Sequence, residues 1–245
     1  MPNLKVVLAT LVTMAVHSLA CIPAHAALTI SSTRIVQTSD KQSTSVVVAN
    51  PSRATYAAQA WINTEADDIT TAVPLIASPA LFQIAPQGEQ TVQINRLPND
   101  LANDRETLFF FNLQEIPQAE SEQKNSLTIA LRTRIKLFYR PSEIQENPAD
   151  SLNTLQWSVR SIDGTPYLIV DNPSPFYFTF GKLVLNDNHR QEQVDTKAMA
   201  VPKGSQTYKL KRLPTGPDVT LAFDIINDYG GRSAEIRSPL SITAP

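Results

Sequence analysis

Apolar and polar residues alternate with period two along most of this chain, and helical spacing hardly competes with it. The longest such run is SLTIALRTRIKLFYR, Ser126 to Arg140. Leu127, Ile129, Leu131, Ile135 and Leu137 are apolar on one parity with Thr133 among them, while Ser126, Thr128, Arg132, Arg134 and Lys136 are polar on the other. Ala130 and Phe138 depart from the pattern. Strands usually run about 3–10 residues. A run of roughly fifteen therefore implies that one half packs at home and the other half serves something else.

Shorter runs predict strands at Leu28–Thr38, Thr44–Asn50, Thr55–Asn63, Leu81–Ile84, Thr91–Asn95 and Glu106–Leu113, and with the long run they fit an immunoglobulin-like sandwich. Breakers separate them at Asn50-Pro51-Ser52, Ala85-Pro86-Gln87-Gly88, Leu97-Pro98-Asn99-Asp100 and Ile116-Pro117. The polar stretch after Arg140-Pro141, SEIQENPADS, reads as a joint between domains. Further strands are expected at Thr154–Arg160, Pro166–Asp171, Tyr177–Leu185, Ser205–Lys211, Val219–Ile226 and Ala234–Ile242. Within them, Leu168-Ile169-Val170-Asp171-Asn172-Pro173-Ser174 echoes Val46-Val47-Val48-Ala49-Asn50-Pro51-Ser52, which agrees with two sandwiches in tandem. The expected class is all-β, with one domain over 27–145 and a second over 146–245.

The first 26 residues carry a different signal. Lys5 gives a basic start, Val6 to Val16 is apolar, and Ala24-His25-Ala26 is a small-x-small ending, the pattern of a cleaved secretory leader. Cys21 would be acylated in a lipoprotein, but Ser18 stands three residues before it, where an aliphatic residue is wanted. Cleavage after Ala26 leaves about 219 of the 245 residues and takes away Lys5, so the net charge moves from -2 to -3. It also takes the only cysteine and two of the three histidines. The mature chain is thus expected to be exported and soluble, without disulfide, thiolate or membrane insertion. Near-neutral charge argues against nucleic acid as a partner.

Those losses also argue against an enzyme. His189 sits alone in a turn-like cluster, Asn186-Asp187-Asn188-His189-Arg190, no glycine-rich phosphate loop is present, and no spacing of Asp104, Glu106 or Asp228 singles out an acid pair. No catalytic residue, metal site or cofactor is expected.

Three blocks point elsewhere. They are Asp104-Arg105-Glu106-Thr107-Leu108-Phe109-Phe110-Phe111-Asn112-Leu113-Gln114-Glu115-Ile116-Pro117, then Ile135-Lys136-Leu137-Phe138-Tyr139-Arg140-Pro141, then Ile226-Asn227-Asp228-Tyr229-Gly230-Gly231-Arg232. In this order and spacing they resemble the PapD-like periplasmic pilus chaperones over the whole mature chain. Gln118 departs from the family pattern, which has a small residue or a second proline there.

The resemblance implies two immunoglobulin-like β-sandwich domains in an L-shaped arrangement and an ATP-independent activity, donor-strand complementation. In it the chaperone lends a strand to a pilin that lacks one, then delivers the subunit to an outer-membrane usher. It further implies that Leu127, Ile129 and Leu131 fill the pilin groove, and that Arg34 and Lys136 hold the pilin's C-terminal carboxylate. Glu106, Arg140 and Asp228 would form an ion-pair network between the domains. Self-association through the exposed strand is a further possibility it raises. The short connection from Glu115 to Asn125 and the absence of cysteine resemble the short-loop branch. The alternative from another class is an immunoglobulin-like structural or adhesive surface subunit, which would be expected to show an incomplete sandwich.

Overall fold

The computed structural model describes residues 28–116, 130–187, 190–216 and 218–242. Two all-β units follow one another. In the first, one sheet orders β1 (Thr29–Ile30), β3 (Ser43–Ala49), β7 (Glu89–Arg96) and β5 (Leu75–Ser78). The facing sheet orders β2 (Arg34–Thr38), β9 (Arg132–Arg140), β8 (Thr107–Ile116), β4 (Tyr56–Asn63) and β6 (Leu81–Ile84). Between them lie Val46, Val48, Ile62, Val92, Ile94, Phe109, Phe111, Leu113 and Leu137, all buried. Each comes from the inward parity of its strand, as a sandwich requires.

The second unit is built the same way. One sheet orders β14 (Gly204–Lys209), β11 (Thr165–Asn172), β10 (Gln156–Ile162) and β17 (Ser241–Ile242); the other orders β13 (Arg190–Gln193), β12 (Phe180–Asp187), β15 (Thr220–Ile225) and β16 (Ile236–Pro239). Its core is aromatic: Trp157 lies 5.3 Å from both Phe180 and Phe223. The expected joint holds a short helix, Pro148–Ser151, opened by Asn147, whose side chain accepts from the Ala149 amide at 2.8 Å.

Four strand expectations change. Leu28–Thr38 is two strands, because the apolar parity flips between Ile30 and Ile35, and the polar Ser31-Ser32-Thr33 carries the chain from one sheet to the other. Ala234–Ile242 divides likewise, at Pro239, which has no amide to continue a ladder. β5 went unpredicted because only Leu75 and Ala77 face inward in a four-residue strand between prolines. β13 is Arg-Gln-Glu-Gln, an edge strand with no apolar residue to announce it.

The Asn-Pro-Ser echo is a structural repeat. Asn50 and Asn172 are each 1 % exposed. Each accepts from the amide and hydroxyl of the serine two residues on, Ser52 at 3.0 and 2.7 Å and Ser174 at 3.1 and 2.7 Å. Each donates to the carbonyl four residues on, Ala54 or Phe176, both at 2.8 Å. Each also reaches a distant Pro-x-Gly turn, at the Ala85 carbonyl (3.0 Å) or the Val201 carbonyl (2.9 Å). In both turns the middle residue, Gln87 or Lys203, has positive φ, 58° and 51°, and returns its amide to the serine carbonyl. Asn50→Ala or Asn172→Ala should each cost about 2–3 kcal/mol, because several buried partners lose their bonds together. Chemical denaturation checks this; a loss under about 0.5 kcal/mol would show the asparagine is dispensable.

Candidate functional site

The chain's sheet switch at Ser31–Thr33 determines what β9 leaves open. β2 pairs with β9 in parallel only from Arg34, opposite Lys136, to Thr38, opposite Arg140. Antiparallel β8 covers the other side of β9 from Arg132 to Tyr139, and the Glu115 amide extends that ladder to the Leu131 carbonyl at 2.9 Å. Toward β2, the edge of β9 from Leu131 to Ile135 therefore has no strand beside it among the described residues. Along the inward parity, burial follows the same division. Leu137 is 0 % exposed and Ile135 packs partly against the core, whereas Leu131 is 49 % exposed. Leu127 and Ile129 lie outside the described residues, as does His189.

Parallel register puts Arg34 and Lys136 directly opposite each other, so their side chains share the outward face. Among the described residues neither makes an ion pair. Arg34 Nη1 donates to the Ile226 carbonyl at 2.7 Å, its Nε is buried without a partner, and Lys136 Nζ bonds only the Thr179 hydroxyl at 3.2 Å. Burial pulls the Arg34 guanidinium below its ordinary value, with Asp228 acting against it. Burial first and the neighbouring Arg34 second lower Lys136 to about 8, with Glu65 opposing. A buried and a partly buried cation held side by side can together receive an anion, since a carboxylate can accept from both.

The hinge lies on the same face. Arg140 donates through Nε to Glu106 at 2.7 Å and through Nη1 and Nη2 to both oxygens of Asp228, at 2.8 and 3.1 Å. Glu106 also accepts the Tyr177 amide at 2.8 Å, and Phe138 meets Tyr177 at 5.8 Å between ring centres. Burial pushes the Glu106 carboxyl above the ordinary carboxylate range, against the pull of Arg140 and the Tyr177 amide. The structure thus brings Glu106, Arg140 and Asp228 together across the two units, beside a cleft of about 460 Å³ that Arg34 also lines.

Sequence reasoning missed what surrounds the cations. Arg132 lies over Trp61 (4.9 Å) and Arg134 over Phe110 (3.7 Å), and both pair with Asp67. The alternation places these arginines outward, but it carries no sign of a loop some 65 residues away folding back over them.

Two family models match the chain. Residues 27–145 match the N-terminal domain of the PapD pili and flagellar-assembly chaperones, and residues 150–237 the C-terminal domain of the PapD pili assembly chaperones. The chaperone protein PapD of Escherichia coli is 34 % identical over 212 residues, 85 % of each chain. The crystal structure of the YadV chaperone is 31 % identical and superposes with a TM-score of 0.75, covering 87 % of this chain and 99 % of that one. The SafB chaperone, solved in complex with the SafA pilin of Salmonella enterica, shares the fold at 22 % identity and a TM-score of 0.74, covering 87 % and 96 %.

Proposed function

The chain belongs to the PapD-like family of pilus-assembly chaperones, and from that premise we propose that it holds its subunits by donor-strand complementation. A pilin with an open groove takes the N-terminal half of the long strand as its missing strand. Leu127, Ile129 and Leu131 fill the groove on alternate positions, main-chain bonds form along the open edge, and the pilin's terminal carboxylate rests on Arg34 and Lys136. The Glu106–Arg140–Asp228 network fixes the angle between the domains that frame the cleft. The observation that carries this reading is one strand with an open edge and an exposed apolar side chain at one end, and an unpaired pair of cations where that edge closes. SafB, a protein of the same fold, is solved holding a pilin.

We place the protein in the periplasm, exported by residues 1–26, handing subunits to an outer-membrane usher. Pairing of two copies through the same edge would cover it when no subunit is bound. Tagged protein isolated from periplasm during pilus production should carry an equimolar subunit of pilin size. Its intact mass should begin at Ala27 and its melting should ignore reductant. Recovery of the chain alone while pili are being made would overturn the reading, and a lipid adduct on Cys21 would overturn the location.

A further inference from the structure

The strand and the two cations leave two prominent side chains unused. Among the described residues the most exposed large apolar groups are Ile69, at 89 %, and Tyr229, at 96 %. Scattered exposed apolar residues are ordinary, but these two stand on loops whose backbones are fixed and which rise from the same face of β9.

The Ile69 loop is tied on both flanks. Before it, Asp67 accepts from Asn63 at 2.8 Å and pairs with Arg132 and Arg134, while Arg134 also donates to the Thr64 carbonyl at 2.7 Å. After it, the Asp68 carboxylate accepts the amides of Thr70 and Thr71, at 2.9 and 2.6 Å. The Tyr229 loop is tied as firmly. Asn227 Oδ1 accepts the amides of Tyr229 and Gly231, both at 3.0 Å, and Asp228 is gripped by Arg140. Gly230, at φ +84°, lies so close to Thr33 that a Cβ would collide with its hydroxyl. The two loops border the outward face of β9: one reaches over Arg132 and Arg134, and the other crosses beside Arg34, which bonds the Ile226 carbonyl.

We propose that Ile69, on the loop over Arg132 and Arg134, and Tyr229, on the rim of the cleft, are contact residues for the captured subunit, and that they help decide which subunit is held. This rests on the donor-strand reading. The occupant follows from charge and position. A carboxylate seated on Arg34 and Lys136 belongs to a chain end, and the side chains next to that end lie under Tyr229. The body of a subunit paired along the open edge passes Ile69. Neither side chain contributes to the free protein, since both are almost wholly in water; burying them against a partner gains apolar area on backbones already ordered, which lowers the entropy cost of the contact.

The test is a competition. Limiting pilus subunit is refolded from denaturant with equal amounts of differently tagged wild-type and variant chaperone, and the bound ratio is read. Ile69→Ser and Tyr229→Ala should each lose to wild type by about tenfold, with free-protein melting unchanged, and Tyr229→Phe should compete evenly. Even competition by Ile69→Ser and Tyr229→Ala, while Lys136→Ala loses to wild type by about tenfold or more, would sink the inference and leave the donor-strand reading standing. If Lys136→Ala also competes evenly, the reading itself fails. Lowered melting in either variant, or normal capture followed by failure only at the outer membrane, would also overturn the inference, because the residues would then serve the fold or another partner.

Discussion

Alanine at both Arg34 and Lys136 is expected to abolish subunit capture while leaving a folded chaperone. Each cation should hold the subunit's carboxylate through a charge-assisted bond worth about 1.5–3 kcal/mol, so each single change should weaken capture tenfold or more. The pH dependence supplies an independent check. Lys136 is depressed to about 8 in the free protein, and a bound carboxylate raises it again. Capture is then strongest below pH 8. Above pH 8 binding must take up a proton, so affinity falls by up to about tenfold per pH unit until the pKa of the complex is passed. For folding the sign is opposite. A lysine depressed in the folded state costs stability below pH 8, and that cost fades as pH rises toward 10.5. Lys136→Met should therefore raise melting at neutral pH even as it weakens capture about tenfold or more. The assignment fails if Lys136→Met captures subunit normally, or if wild-type affinity is flat from pH 7 to 10.

The alternation along this strand was readable, whereas Arg34 and Lys136 were named only through the family resemblance, and the geometry that unites them could not be read at all. Arg34 and Lys136 sit on opposite sides of a sandwich's worth of chain, and in the sequence Lys136 has the opposite parity to Leu127, Ile129 and Leu131. Only the parallel pairing of β2 with β9 makes them neighbours, and the parity flip between Ile30 and Ile35 is the sequence's one trace of the sheet switch that allows it. Buried apolar strands were legible because burial imposes period two. β13 was not, being polar and held by its ladder to β12 and by the bond that Glu192 accepts from the Lys211 amide. The asparagine repeat was half visible: Asn-Pro-Ser stands in the sequence, while its partner turns, Pro86-Gln87-Gly88 and Pro202-Lys203-Gly204, are brought to it only by the fold.

Serine substitutions along β9 should separate into two classes. Leu137→Ser places a hydroxyl and a void in a site with no exposure, at about 3–5 kcal/mol, enough to unfold much of the first domain. Leu131→Ser should barely change the melting of the free protein, because half of that side chain is already in water, yet it should weaken capture steeply. Leu127→Ser and Ile129→Ser should behave like Leu131→Ser. Ile135, partly packed on the core, should fall between. Melting of the free variants and subunit co-purification measure the two effects separately. If Leu131→Ser melts as early as Leu137→Ser, the strand packs at home throughout and lends nothing.

The register between β2 and β9 also bears on when the molecule becomes active. That pairing closes a loop of about a hundred residues, among the longest in the first domain, and such contacts form late because their closure entropy must be met by structure already in place. Contact separation therefore predicts that β8, β4 and the core between the sheets form before Arg34 meets Lys136. On the donor-strand reading proposed above, a chain in which β2 has not yet paired with β9 would offer the lent strand without the two cations set side by side, and would touch a subunit without holding it. On that reading the paired cations would act as a timer, withholding firm capture until the first domain of the chain is finished.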